Sequence, residues 1–208
     1  MSLPEIAGLY AITPDLTDTA QLLTACGQAL SGGARVLQYR NKKAGRALRL
    51  EHALGLSAIC RKAGVTFIIN DDVDLALEVD ADGVHLGRED GNLAAARRRI
   101  GHGKRLGASC YDRLALAEAA AEAGADHIAF GSMFPSATKP GAVRASPGLF
   151  GQARGLGLPM VAIGGINAEN AGTLIAAGAD AIAVIGALFE AGDIETRARD
   201  LAALFITT

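Results

Sequence analysis

The sequence predicts an α/β fold of the (β/α)8 barrel type, as one domain over residues 1–208, and three observations predict it. Short runs of β-branched and apolar residues recur along the chain, Ala-rich amphipathic stretches separate them, and Gly-containing turns punctuate the joins. That phrase is a strand–helix unit. A chain of 208 residues, half of them hydrophobic, can bury one sizeable core and needs no second domain.

In chain order the strands read as Leu9–Thr13, Val36–Arg40, Thr66–Asn70, Gly83–Leu86, Arg105–Ser109, His127–Gly131, Met160–Gly164 and Ala181–Ile185. Helical periodicity fills the intervals, at Thr19–Leu30, Leu48–Arg61, Leu93–Ile100, Ala115–Ala123 and Asn170–Ala177, several of them closed by Gly. The similar segments Ala123-Gly124-Ala125-Asp126 and Ala177-Gly178-Ala179-Asp180 each lead into an apolar strand and mark a repeated unit. Eight parallel strands with crossover helices close into a TIM barrel. The alternation alone also fits a doubly wound open sheet, because closure is not written in a sequence. The one long irregular stretch, Ser132–Ser146 after the sixth strand, has the length of a functional loop.

Twenty basic against 22 acidic side chains leave no excess charge to hold nucleic acid or an anionic membrane, so an anionic ligand must be gripped locally. No apolar run approaches the roughly 20 residues of a membrane-spanning helix. Cys26, Cys60 and Cys110 are an odd number without metal-ligand or disulfide spacing and no leader is read ahead of them, so a reduced cytoplasmic compartment is expected. Nearby Cys and His at zinc-ligand spacing are missing.

Barrel sites lie at the C-terminal ends of the strands, so polar strand ends are the place to search. The second strand ends Gln38-Tyr39-Arg40-Asn41-Lys42; a side-chain period of two puts Gln38 and Arg40 on one face, with Lys42 continuing the row. A planar fork and a point charge together suit a diphosphate. After the third strand come Asp71, Asp72 and Asp74, and after the fourth comes Asp90. Capping takes one of these, assigned as Asp72, while Asp71 with Asp90 would hold a Mg2+ that keeps waters and phosphate oxygens as its remaining ligands. Gly164-Gly165 and Ile185-Gly186 could bring bare N–H groups up to a phosphate, or merely turn tightly. Ser136, Ala137, Thr138 and Lys139 add hydroxyls and a cation that could close over the same ligand. His85 could touch ligand or simply pack; Arg97–Arg99 read as a solvated helix face, and His52 and His102 as surface histidines.

In order and spacing these residues resemble the thiamine-phosphate synthase family over essentially the whole chain. The resemblance is carried by Leu9-Tyr10-Ala11-Ile12-Thr13, Gln38-x-Arg40-x-Lys42, Asn70-Asp71, Asp82-Gly83-Val84-His85-Leu86-Gly87-x-x-Asp90, Gly107-x-Ser109, Thr138-Lys139 and Gly164-Gly165-Ile166. It implies a transferase that joins 4-amino-2-methyl-5-(diphosphooxymethyl)pyrimidine to a thiazole phosphate, releasing pyrophosphate. By the same resemblance Gln38, Arg40, Lys42, Asn70 and Lys139 would hold the pyrimidine diphosphate, with Tyr39 and Asn41 on the same strand end. Asp71 and Asp90 would bind Mg2+, and Ser109 would meet the pyrimidine. Ser136, Ala137, Thr138, Gly165, Ile185 and Gly186 would receive the thiazole phosphate. Arg40, Lys42, Ser109 and Lys139 would do the catalytic work, and a homodimer is implied. Two positions depart from the family pattern: Arg88 stands where Gln is usual, adding a cation beside Asp90, and Ser136 stands where Thr is usual. A thiazole tautomerase is the nearest alternative, with no use for a diphosphate and Mg2+ site; a sugar-phosphate isomerase or lyase would need a buried acid–base pair that the sequence does not suggest, and a ligand sensor could keep the whole pocket.

Overall fold

Alternating side chains give each strand two faces, and in the protein both are buried. A computed structural model describes residues 5–135, 141 and 143–206. Its strands are β1 (Gly8–Ile12), β2 (Val36–Tyr39), β3 (Thr66–Asn70), β4 (Gly83–Leu86), β5 (Arg105–Tyr111), β6 (His127–Phe130), β7 (Met160–Ile163) and β8 (Ala181–Val184), joined in sequence order as a closed parallel barrel. Pairing of Gly8 with Ala181 closes it and excludes the open sheet. Tyr10, Val36, Ile68, Val161 and Ala183 fill the inside, while their strand neighbours Leu9, Leu37, Phe67, Ala162 and Val184 pack outward under the helices. Residues one apart therefore belong to different cores, as near-continuous apolar runs in parallel strands require.

Outside lie α1 (Thr19–Ser31), α2 (Arg46–Ala63), α3 (Val73–Glu78), α4 (Leu93–Ile100), α5 (Leu114–Glu122), α6 (Gly148–Ala153), α7 (Ala171–Ala176), α8 (Gly186–Phe189) and α9 (Ile194–Ala203). Asp18, Asp72, Asn92 and Asp193 cap the helices that follow them by accepting a backbone N–H. The short α3, α6 and α8, and the terminal α9, were not legible in the periodicity. The second strand stops one residue before Arg40, because the Arg40 N–H donates to the Thr13 hydroxyl, which in turn donates to the Arg40 carbonyl.

The repeated aspartates have a specific task. Asp82, just before β4, accepts the Phe67 N–H of β3; Asp126, before β6, accepts that of Leu106 in β5; Asp180, before β8, accepts that of Met160 in β7. Each latches the foot of one strand to the foot of the next at the N-terminal end of the barrel. Two residues expected to face solvent are buried instead. Arg97 is buried, because its guanidinium donates to the carbonyls of Gly124, Gly101 and Lys104 and pairs with Asp126. His52 is also wholly buried, its Nδ1 3.2 Å from the Tyr39 hydroxyl.

Candidate active site

At the C-terminal rim, Gln38 points into the barrel and donates from Nε2 to the Tyr10 hydroxyl at 2.8 Å, which leaves its carbonyl oxygen for a ligand. One turn of the strand higher, Arg40 lies 3.5 Å from Asp15, and Lys42 reaches across to Asp71 at 3.5 Å. Alternation thus holds for Gln38 and Arg40, and Tyr39 faces the other way. Its ring packs in the outer core with its hydroxyl against His52, so it offers no polar atom to the barrel mouth. Asn41 ties its loop to the β1–α1 segment, donating to the Leu16 carbonyl, and accepts from Lys43 and Ala44 of its own loop. Both residues instead wall a side cavity of about 210 Å³ that also touches Lys42, Asn70 and Asp71.

The end of β3 separates three carboxylates into different roles. Asp72 caps α3, pairs with Arg49 and lies 3.6 Å from Arg46, while Asp74 pairs with Arg99 on α4. Asp71 turns the other way on a left-handed backbone, φ 64°, its N–H anchored to the His85 carbonyl of β4 at 2.8 Å. That turn brings its carboxyl against Asp90, whose own oxygen accepts the Gly87 N–H. Burial, then the proton shared with Asp90 and the charge of Asp90, push Asp71 up to about 6; Lys42 pulls it down. Two carboxylates crowded at a rim, with one cation beside them, are a donor set that fits a hard divalent ion. Among the described residues no group of three or more His, Cys, Asp or Glu side chains gathers, so Asp71 and Asp90 are the pair that would hold such an ion, with water and phosphate completing its shell. Arg88 makes no ion pair with Asp90 among the described residues; its N–H donates to the Tyr111 hydroxyl, tying the β4–α4 loop to the end of β5.

Ser109 faces inward from β5 with its hydroxyl 2.9 Å from His85 Nε2, and His85 Nδ1 lies 3.3 Å from His127 Nε2. The sequence pointed to no buried pair of this kind, although period two on β6 puts His127 inward. Burial holds His85 down at about 4 and His127 well below its usual value, so both rings are neutral at neutral pH. Such a pair is suited to hydrogen bonding and poorly matched to proton transfer.

On the opposite rim Gly164 and Gly165 take φ of 103° and 62°, which L side chains rarely adopt. Phe134 and Met133 donate to the Gly164 and Ile163 carbonyls, and Ala145 donates to that of Ser132, so the irregular segment is drawn together at its base and fastened to the glycine turn. Ser136, Ala137, Thr138 and Lys139 lie outside the described residues. Ile185 and Gly186, at the start of α8, border a separate cavity of about 540 Å³ against α1.

A closed parallel barrel whose rim gathers cations, a carboxylate pair and glycine turns defines a phosphate-handling (β/α)8 enzyme. The sequence profile of the family described as thiamine monophosphate synthase matches residues 9–188, and the chain belongs to that family. It is 58% identical to the thiamine-phosphate synthase of Methylobacillus flagellatus over 98% of each chain, and 56% identical to that of Chromobacterium violaceum over 97% and 98%. The solved thiamine phosphate pyrophosphorylase of Pyrococcus furiosus superposes with a TM-score of 0.84 at 34% identity, over 97% of this chain and 96% of that one.

Proposed function

We propose that this thiamine-phosphate synthase family transferase couples the pyrimidine diphosphate to a thiazole phosphate by a dissociative substitution. The observation that carries the reading is the carboxylate pair Asp71 and Asp90 beside Lys42, with Arg40 on the same rim. When bound there, Mg2+ supplies positive charge against the departing pyrophosphate. Arg40 and Lys42 hold the diphosphate oxygens and keep the leaving group in place as the C–O bond breaks, and Lys139 adds a third cation. The electron pair leaves with pyrophosphate; the pyrimidine methylene cation that remains is captured by the thiazole nitrogen. No protein nucleophile takes part. Gln38 and Ser109 orient the ring, Gly165, Ile185 and Gly186 receive the thiazole phosphate with Ser136, Ala137 and Thr138, and the 132–146 segment keeps water from the cation.

Single-domain organisation, a homodimer and a cytoplasmic setting belong to the same proposal; the three free, buried cysteines support the last. No helix among the described residues is long and apolar enough to cross a membrane. The test is a coupling assay with both substrates and Mg2+, reading thiamine phosphate and pyrophosphate. Metal-dependent product that is lost in Asp71→Asn and Lys139→Ala supports the reading. A folded protein that binds thiazole phosphate yet makes no product refutes it in favour of the tautomerase.

A further inference from the structure

Beneath the rim, Gly107 faces the barrel interior between His85 and His127, and a Cβ there would overlap both imidazoles. The glycine opens the space in which the rings meet, with centroids 5.4 Å apart. A file of polar side chains therefore runs upward from the wholly buried His127 through His85 to Ser109 at the half-buried rim. Its direction is set at the deep end. A neutral imidazole carries one N–H, and His127 Nδ1 is buried without a hydrogen-bond partner among the described residues. Protonating that nitrogen would orphan a buried donor; leaving it bare orphans only a lone pair, which folded proteins tolerate more readily.

We propose that His127 is a positioning residue: its Nε2–H donates to His85 Nδ1, His85 Nε2–H donates to Ser109 Oγ, and Ser109 is left to donate its own O–H outward. The site then offers an O–H to a ligand atom with a free lone pair, an unprotonated ring nitrogen, which the reverse order of donors would leave without a partner. This deepens the reading of Ser109 as a pyrimidine contact and rests on it, whereas the order of donors does not.

Long-range proton–nitrogen NMR on the substrate-free protein with 15N-labelled histidine reads the tautomers directly. Both rings are expected neutral with the proton on Nε2; an Nδ1–H on either overturns the proposal. In the coupling assay His127→Gln keeps an amide donor toward His85, and His127→Phe fills the space without one. We expect Gln to retain kcat/KM for the pyrimidine diphosphate within about threefold and Phe to lose about tenfold, the worth of one aligned hydrogen bond, with KM for the thiazole phosphate unchanged in both. Equal behaviour of the two variants overturns the positioning role. If parent protein with the expected tautomers makes no product, the coupling reaction fails and the donor order stands supported.

Discussion

Asp71 concentrates the chemistry of the rim in one residue, because its backbone, its partner and its protonation are all unusual. Its folded value of about 6 lies above that of an unfolded aspartate, near 4. The folded state therefore holds an extra proton between these values, and the contribution of this group to stability is lost as pH rises through about 6. We expect Mg2+ to raise the melting temperature more at pH 7.5 than at pH 5, and Asp71→Asn, whose side chain tolerates the same φ, to abolish that metal response; differential scanning fluorimetry checks both. His85 works with the opposite sign. Its depressed value of about 4 means that stability is lost as pH falls below about 6.5, by up to about 1.4 kcal/mol per pH unit, and acid unfolding of His85→Phe should be the shallower. The donor-bearing rim residues were legible in sequence because polar atoms at apolar strand ends stand out. Tyr39 and Asn41 were not separable from Gln38 and Arg40 by adjacency; their partners, His52 and the Leu16 carbonyl, turn them toward the cavity they share with Lys42, Asn70 and Asp71.

At the scale of elements, the aspartates that precede β4, β6 and β8 replace a missing ladder partner with a carboxylate. Asp180→Ala leaves the Met160 N–H of β7 without its acceptor, and we expect a loss of roughly 1–3 kcal/mol in urea unfolding with KM unchanged, since the latch lies at the far end from the rim. Gly165→Ala acts at the other end. Its Cβ would meet the Pro135 carbonyl and Phe134 on a backbone of positive φ, so thiazole phosphate KM should rise while the pyrimidine diphosphate KM holds, read from initial rates. The strands were legible to within a residue or two because β-branched runs between glycine turns have few other uses. Helices of four to six residues, such as α3 and α8, carry too few turns for periodicity to show, and they form because the barrel packs them.

For the whole molecule, closure of the sheet turned a repeated phrase into a single rim on which residues from β2, β3, β4 and β5 converge. The buried thiols of Cys26 and Cys110, pushed up to about 12 by burial, and that of Cys60, raised further, lie in the shell between sheet and helices. A disulfide-exchange reagent should find no thiol in the native protein and all three together on unfolding. The strand order has a further consequence in time. Latches span only 15 to 20 positions of chain, whereas the pairing of Gly8 with Ala181 must bring the two ends together. Loop entropy makes that seam the costliest contact to nucleate, so neighbouring strands accrete first and the cylinder zips shut last. Until it does, β1 and β8 are raw edges, and the interval before closure is when the newborn chain is most exposed to aggregation.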